Sequence, residues 1–248
     1  MPEHDFRSQR LFVDADLAAG ALVRMPAEQA HYVSNVIRLA VGETILLFNG
    51  RDGEWRARRT AGGKRDVTLE VEAATRPQTA PGEVEYAFAP LKHARLDYMV
   101  QKAVEMGAGI LSPVVTRHTQ VTRVNGERMR ANAVEAAEQC GILSIPEVRE
   151  PVPLARWLAD LPQDRLLVFC DEAAPVADAL APLRTRPGAA VSVLIGPEGG
   201  FAPDERALLA PRAVILSLGP RILRADTAAV AALALVEAVR GRHIPAHA

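Results

Sequence analysis

The sequence predicts an α/β protein in which a parallel sheet is preceded by a small β-rich module. From Val84 onward, short aliphatic runs alternate with helical patterns, which is the signature of strands joined by crossover helices. Late in the chain, two such runs break into loops of glycine and proline, VSVLIGPEGGF at 191–201 and LSLGPRILRADTAA at 216–229. We expect these two strands to lie side by side, with their loops forming a ligand crevice at the carboxyl ends.

The first segment contains several short strand signals and one helix. The pattern predicts strands over 10–13, 44–48, 54–59 and 67–73, with Asn49-Gly50 and Asp52-Gly53 as hairpin turns. Residues 26–39 carry Ala30, Val33, Val36 and Ile37 at helical spacing. Short strands at this density predict a small β-barrel-like module.

One hairpin of this module is basic, since Trp55 stands beside a cluster of cations: Arg56, Arg58, Arg59, Lys64 and Arg65. Clustered arginine with an adjacent aromatic residue is typical of a nucleic-acid-binding edge. A solvated surface explains the same pattern equally well, and both interpretations stay open.

The stretch RPQTAPG at 76–82 has no periodicity and is the predicted linker. The predicted division is therefore 1–75, a linker at 76–83, and 84–248. In the last segment we expect strands over 84–89, 110–115 and 165–170, and helices over 96–106, 128–140, 173–183 and 225–240.

Composition restricts the function classes. The 29 Lys and Arg balance the 30 Asp and Glu, so an anionic partner must be bound by local patches. Cys140 and Cys170 lie far apart without ligand spacing, which fits buried thiols in a reduced compartment. No signal peptide or membrane span is evident, and we expect a cytoplasmic protein.

Motifs for several common chemistries are missing from the sequence. It contains no GxGxxG or GxxxxGK[ST] phosphate loop, no HExxH, no Cys/His cluster and no GxSxG, so no metal site is predicted. What remains is the pair of glycine loops, with Glu198, Arg224, Asp226 and Thr227 as their polar side chains. Such loops suit a neutral, hydrogen-bonding ligand such as an adenosine moiety, and the alternative is that they are only tight turns.

The same motifs resemble a known family. IGPEGGF at 195–201 and LGPRILRADTAA at 218–229 are similar to the signature of the ribosomal RNA small subunit methyltransferase E family, within the SPOUT superfamily. LKHARLDYMVQKAVEMGA at 91–108 and AAEQCG at 136–141 resemble the opening of its catalytic domain, and 10–13 with 31–48 resemble its PUA-like RNA-binding domain. Ala225-Asp226 departs from the family's more usual Thr-Glu and shortens the carboxylate.

The resemblance implies a C-terminal SPOUT-type domain with a trefoil knot and a PUA-like N-terminal domain. It also implies that S-adenosylmethionine is bound in the knot loops and that two subunits pair as a homodimer. The implied reaction is methyl transfer to N3 of a specific uridine in 16S, small-subunit ribosomal RNA, either free or in the assembled subunit.

Site residues follow from the resemblance. Arg224 is expected to stabilise the developing uracil anion and Glu198 to act as general base, with ion pairing or loop anchoring as the alternatives. The expected cofactor contacts come from both glycine loops: Leu194, Ile195, Gly196, Gly199, Leu218, Gly219, Pro220, Leu223 and Thr227. The expected RNA contacts are basic residues: Arg10, Lys92, Arg95, Arg117, His118 and Arg123. Two other functions stay open, methylation of another RNA atom such as a ribose 2′-hydroxyl, and a non-catalytic role in RNA binding or ribosome assembly.

Overall fold

The computed structural model describes residues 8–63, 65–121, 123–174, 181–185 and 190–240. The chain divides into two compact units. The first comprises Met1–Pro81 with Val134–Ile145, and the second comprises Gly82–Ala133 with Pro146–Ala248.

The first unit is built on a five-stranded sheet in the order β1-β3-β4-β5-β2, with β1 parallel to β3 and the other pairs antiparallel. Its elements are β1 (Arg10–Phe12), β2 (Leu22–Arg24), α1 (Ala27–His31), a π-helical turn (Tyr32–Val36), β3 (Thr44–Phe48), β4 (Glu54–Ala61) and β5 (Thr68–Arg76). Aliphatic side chains from all five strands form one core, together with Ala30 and Val33 of the helical segment. The four strands predicted for this segment are confirmed, whereas β2 was not predicted.

The predicted helix over 26–39 is wrong in its second half. The α-helix ends at His31 and passes into the π-helical turn, after which Arg38 has φ 58°. A π-turn holds an extra residue, so later side chains leave the face that a 3.6-residue period assigns to them. Val36, predicted on the buried face, is accordingly 61% exposed.

The second unit is a seven-stranded sheet flanked by helices, and every strand pair in it is parallel. Its strands are β6 (Val84–Phe88), β7 (Ala108–Val115), β8 (Glu147–Val148), β9 (Val152–Pro153), β10 (Leu166–Cys170), β11 (Val191–Ile195) and β12 (Ala213–Leu216). Its helices are α2 (His93–Glu105), α4 (Leu154–Asp160), α5 (Pro203–Leu209) and α6 (Ala225–Arg240), and α3 (Gly126–Cys140) contains the boundary between the units. The α/β class with a parallel sheet is confirmed.

The strand order corrects one expectation about the two glycine loops. The order is β12-β10-β11-β6-β7-β8, with β9 pairing beside β7, so β10 lies between the strands that lead into those loops. The two strands are therefore not neighbours. Residues that follow β10 must consequently lie between the two glycine loops, where the sequence interpretation placed nothing.

Helices α4 and α5 cover one face of this sheet and were not predicted. Trp157, Leu158 and Leu209 of these helices pack with Leu167, Phe169 and Leu194 of the strands. The helix predicted over 173–183 lies largely outside the described residues. The described residues 181–185 contain a 3₁₀ turn, Pro182–Thr185.

A fully buried carboxylate joins four parts of the second unit. Glu85 of β6 accepts hydrogen bonds from the hydroxyls of Ser112 and Ser192, from Trp157 Nε1 at 3.0 Å and from Arg149 Nη1 at 3.2 Å. Burial alone raises the pKa of a carboxyl group, but these four donors outweigh it and hold the pKa of Glu85 below its ordinary value. Glu85 is therefore charged at neutral pH and fixes β6 against β7, β11 and α4.

We predict that Glu85→Ala destabilises the protein by about 3 kcal/mol, because it leaves buried donors without an acceptor. A group whose pKa is depressed by folding stabilises the native state above its unfolded pKa, and that contribution is lost as the pH falls. The wild type should accordingly lose stability below about pH 4.5 more steeply than Glu85→Gln does. Urea unfolding across pH measures both effects, with the exposed Glu150→Gln as the matched control. Parallel pH profiles for wild type and Glu85→Gln would contradict this account.

Candidate functional site

The carboxyl edge of the parallel sheet contains a cavity of about 210 Å³. Because β12, β10 and β11 are adjacent and parallel, the three loops that follow them converge there. The main wall residues are Cys170, Asp171, Glu172, Ile195, Gly196, Pro197, Gly200, Phe201, Arg206, Ser217, Leu218, Gly219, Pro220, Ile222 and Leu223. We call this the first cavity.

The first glycine loop depends on two positions that exclude a side chain. An added Cβ on Gly196 would lie 2.4 Å from the ring of Phe201, which is itself buried against Phe169. Gly200 has φ +65°, and an added Cβ there would lie 2.5 Å from a Glu172 oxygen. The Gly200 amide donates to the Pro197 carbonyl at 2.9 Å and closes a tight turn with Glu198 inside it.

A charged cluster follows β10, between the two glycine loops. The Arg206 guanidinium of α5 lies 3.0 Å from Asp171 and 3.7 Å from Glu172, and its Nε donates to the Phe201 carbonyl at 3.2 Å. Asp171 is largely buried in this pair, whereas the Glu172 side chain is 49% exposed at the cavity wall. The sequence interpretation missed all three residues. A signal was available, since an acidic pair directly follows the predicted strand over 165–170.

Cys170 ends β10 and belongs to the same wall. Burial raises the pKa of the Cys170 thiol to about 12. The side chain therefore stays protonated at neutral pH and is a poor nucleophile. A thiol held in this state is compatible with an electrophilic ligand in the cavity.

The second glycine loop forms the opposite wall. Gly219 has φ +96°, which a residue with a Cβ rarely adopts, and its amide donates to the Ser217 hydroxyl. Ile222 is 87% exposed although it also lines the cavity. The loop ends where α6 begins, at Ala225.

Six of the nine residues expected to contact a cofactor line this cavity: Ile195, Gly196, Leu218, Gly219, Pro220 and Leu223. The other three do not. The Leu194 side chain is fully buried in the core beneath the sheet, and Gly199 faces His118. Thr227 is exposed, and its amide donates to Asp226 Oδ1 at 2.8 Å at the start of α6.

The two expected catalytic residues have different surroundings. Glu198 accepts a hydrogen bond from Arg95 Nη1 at 3.1 Å, and both side chains are about half exposed. Arg224 is exposed and, within the described part of the chain, forms no ion pair with Glu198 or Asp226. One alternative was that Arg224 only anchors the loop through an ion pair with one of these carboxylates. The described residues do not contain that ion pair.

The residues expected to contact RNA have different surroundings. Lys92 and Arg95 line a second cavity beside the first glycine loop, and Arg123 is exposed on the basic loop. Arg117 pairs with Asp204 at 2.6 Å. The His118 Nδ1 lies 2.9 Å from the Gly199 carbonyl and 3.2 Å from that of Gly200; since a carbonyl only accepts, Nδ1 carries the proton.

Arg10 is corrected. Its side chain is buried in the first unit, and its Nε donates at 2.9 Å to Glu54, which also accepts hydrogen bonds from Arg76 and Thr75. These donors outweigh burial and lower the pKa of Glu54. Arg10 therefore compensates a buried charge and is not placed to contact RNA.

Three arginines of the basic hairpin have partners within the first unit. Arg56 and Arg58 both pair with Glu72, and Arg59 is buried, where it donates to the carbonyls of Leu39, Gly62 and Gly63. Trp55 packs against the core and donates through Nε1 to the Asp52 carbonyl. Lys64 lies outside the described residues.

The described ranges contain no cluster of three or more His, Cys, Asp or Glu side chains arranged for a metal ion. In the same ranges, no helix combines the length and apolar character that crossing a membrane requires.

A glycine-lined cavity at the carboxyl edge of a parallel sheet defines an α/β ligand-binding domain, here accompanied by a small β module. The chain belongs to the RNA methyltransferase family. The family model described as an RNA methyltransferase domain matches residues 78–237, and one described as an RNA methyltransferase PUA domain matches residues 26–72.

Full-length relatives are similar to this chain. The ribosomal RNA small subunit methyltransferase E of Rickettsia conorii is 29% identical over 92% of this chain and 94% of its own length. The crystal structure of the enzyme of that name from Neisseria gonorrhoeae, bound to S-adenosylmethionine, has a TM-score of 0.82 and 25% identity, covering 94% of this chain and 98% of that one. A Legionella pneumophila protein in complex with the same cofactor has a TM-score of 0.80 and 29% identity, with coverage of 94% and 98%.

Proposed function

We propose that this protein transfers a methyl group from S-adenosylmethionine to N3 of a specific uridine in 16S ribosomal RNA. The observation that carries the proposal is the first cavity, in which two glycine loops converge at one sheet edge. Arg224 directly follows the second loop and has no ion-pair partner among the described residues. The relatives named ribosomal RNA small subunit methyltransferase E support the substrate class. The cofactor-bound structural neighbours support the cofactor.

The residues that line the first cavity are suited to bind each part of this cofactor. Ile195, Leu218 and Leu223 line the cavity and have no polar side chain, so their backbone groups and apolar surface are suited to the adenine. The half-exposed Glu172 is suited to accept hydrogen bonds from ribose hydroxyls, as acidic residues do in dinucleotide sites. Because Gly196 and Gly200 have no side chain, the backbone at these positions can approach the cofactor closely.

The bound cofactor supplies an electrophilic methyl group on a sulfonium. The protein's part is to hold the uracil N3 in line with that methyl group and to manage the imide proton. Glu198 accepts that proton, and Arg224 stabilises the negative charge that develops on the uracil carbonyls. Because Cys170 stays protonated, it does not compete as a nucleophile.

We also propose that residues 1–75 form the RNA-binding domain and that 76–83 link it to a catalytic domain over 84–248. The PUA and methyltransferase matches support a division of this kind. Lys92, Arg117 and Arg123 then provide phosphate contacts near the catalytic site. The proposal includes the SPOUT trefoil knot at the cofactor loops and a cytoplasmic location, where the ribosomal substrate resides.

We propose that the protein acts as a homodimer in which the 87% exposed Ile222, at the wall of the first cavity, packs against the partner subunit. Sedimentation should give about twice the 26.7 kDa chain mass. Ile222→Asp should shift the population toward monomer, whereas Ala159→Asp on α4 should not. A monomeric wild type at micromolar concentration would contradict this part of the proposal.

Cofactor binding is the first expectation to test. Gly196→Ala should weaken S-adenosylmethionine binding at least tenfold, because its Cβ collides with Phe201 and displaces the loop. Gly63→Ala is the control, since an added Cβ there meets nothing within 4 Å. Calorimetric titration measures both affinities. If a folded Gly196→Ala bound the cofactor with undiminished affinity, the cofactor would have to bind elsewhere.

The methylated atom is identified separately. Mass mapping of the methylated nucleoside distinguishes N3 from a ribose 2′-hydroxyl.

Arg224 tests the catalytic assignment. Arg224→Ala should lower the single-turnover rate of methyl transfer to hypomethylated small subunits by about 100-fold, a typical cost of removing one donor that stabilises a developing anion. Cofactor affinity should change less than threefold, since the side chain is not part of the first cavity's wall. Arg156→Ala on α4, an exposed arginine that lines neither cavity, separates general charge effects from this role. Equal losses in the two variants would argue against a specific role for Arg224.

A further inference from the structure

A second cavity, of about 510 Å³, lies at the same carboxyl edge of the second unit. It is lined by Pro90, Leu91, Lys92, Ala94, Arg95, Gln120, Val121 and Glu198. These residues follow β6, β7 and β11, whereas the first cavity follows β12, β10 and β11. The first glycine loop is the wall that the two cavities share.

The turn in that loop directs its residues to opposite sides. Gly196, Pro197 and Gly200 line the first cavity, while Glu198, inside the turn, lines the second. A group seated in the second cavity is therefore separated from the first by a single turn of backbone. Methyl transfer requires the donor and the acceptor to lie in adjacent sites with the reacting atoms in contact, so the base must meet the methyl group at the edge of this turn.

The second cavity combines an apolar surface with a short polar edge. Pro90, Leu91 and Val121 supply apolar surface, which suits the face of a planar base. The polar edge contains cationic donors, Lys92 and Arg95, beside one carboxylate acceptor, Glu198. Gln120 adds an amide that both donates and accepts.

This edge matches one base in particular. Uracil presents a carbonyl acceptor, the N3–H donor and a second carbonyl acceptor, so its complement is donor, acceptor, donor. Cytosine has an unprotonated N3, which would place a lone pair against the Glu198 carboxylate. A site whose carboxylate faces N3 of the base therefore selects an imide over a cytosine.

We propose that the second cavity receives the target uracil and that the Arg95–Glu198 ion pair opens to admit it. Glu198 then accepts the imide N–H and Arg95 donates to a flanking carbonyl oxygen. An exposed pair at 3.1 Å contributes little stability, so the base can replace it. This inference rests on the proposed function, and it names the base-selecting residues of that site.

Cross-linking locates the base directly. Small-subunit RNA transcribed with 4-thiouridine is irradiated with the full-length protein in the presence of S-adenosylhomocysteine, and the cross-linked peptides are mapped by mass spectrometry. Peptides containing residues 90–95, 120–121 or 198 are expected. These cross-links should disappear in Ala94→Trp, which fills the cavity from the exposed first turn of α2, and persist in Ala159→Trp on α4. Cavity cross-links that persist in Ala94→Trp, or their absence from the wild type, overturn the proposal.

Kinetics separate the base contact from RNA binding. Arg95→Met should lower the single-turnover rate by about 10-fold to 100-fold, the range expected for losing a base-reading contact, and Arg95→Lys should recover part of it. RNA affinity by filter binding should change less than threefold. Arg156→Met, which removes an exposed arginine of α4 from its own ion pair, is the matched control and should leave both quantities unchanged. A loss confined to RNA affinity would show that Arg95 is only a phosphate contact and would overturn the proposal.

Failure of this inference is distinguishable from failure of the proposed function. If the wild type binds S-adenosylmethionine and methylates small subunits, but Ala94→Trp and Arg95→Met do so at the wild-type rate, the uracil binds elsewhere and the proposed function stands. If the wild type neither binds the cofactor nor methylates, the proposed function itself is wrong, and the inference fails with it.

Discussion

The site depends on a steric constraint at Gly196. The ring of Phe201 occupies the space that any side chain at this position would need, and the ring is held there by an edge-on contact with Phe169. Phe169 belongs to β10 and Phe201 to the segment that leads into α5, so the loop conformation is determined by packing in the sheet's core. Because close-packed interiors transmit small changes in volume, one methyl group at Gly196 affects the whole wall.

Charge is arranged differently at the two ends of the sheet. Glu85, near the amino end of β6, is fully buried and has all its partners inside the protein, which is the arrangement of a structural charge. At the carboxyl end, Glu172, Glu198 and Arg224 remain partly or largely exposed. Charged groups that keep access to solvent can exchange their partners for those of a ligand at little cost, so the two ends differ in function as well as in burial.

The sequence predicted the longer elements because their patterns are strong. The buried strands β3, β6, β10 and β11 are uninterrupted aliphatic runs, and α6 has a clear polar start at Asp226 and a long alanine-rich body. The two-residue strands β8 and β9 and the seven-residue helices α4 and α5 were missed, since so few residues do not establish a period. Helices α4 and α5 are instead stabilised by tertiary packing, in which Trp157 and Leu209 contact the core of the sheet.

The candidate site was predicted only where its residues belong to a motif. Both glycine loops are contiguous in sequence and were found, whereas Asp171, Glu172 and Arg206 enter the site through the strand order, which sequence does not contain. Arg10 illustrates the opposite error. An arginine at the start of a strand has the same local pattern whether it contacts RNA or a buried carboxylate, and only its distant partner, Glu54, distinguishes the two.

The separation of Glu198 from Arg224 has a chemical consequence. An arginine that is ion-paired in the free protein would first have to leave its carboxylate before it stabilised an anion on the base, and part of its electrostatic effect would be lost in that exchange. Arg224 has no such partner in the described structure, while Glu198 is held by Arg95 from the other side of the first glycine loop. In the mechanism that we propose, the proton acceptor and this cation are therefore not paired with each other before the base binds.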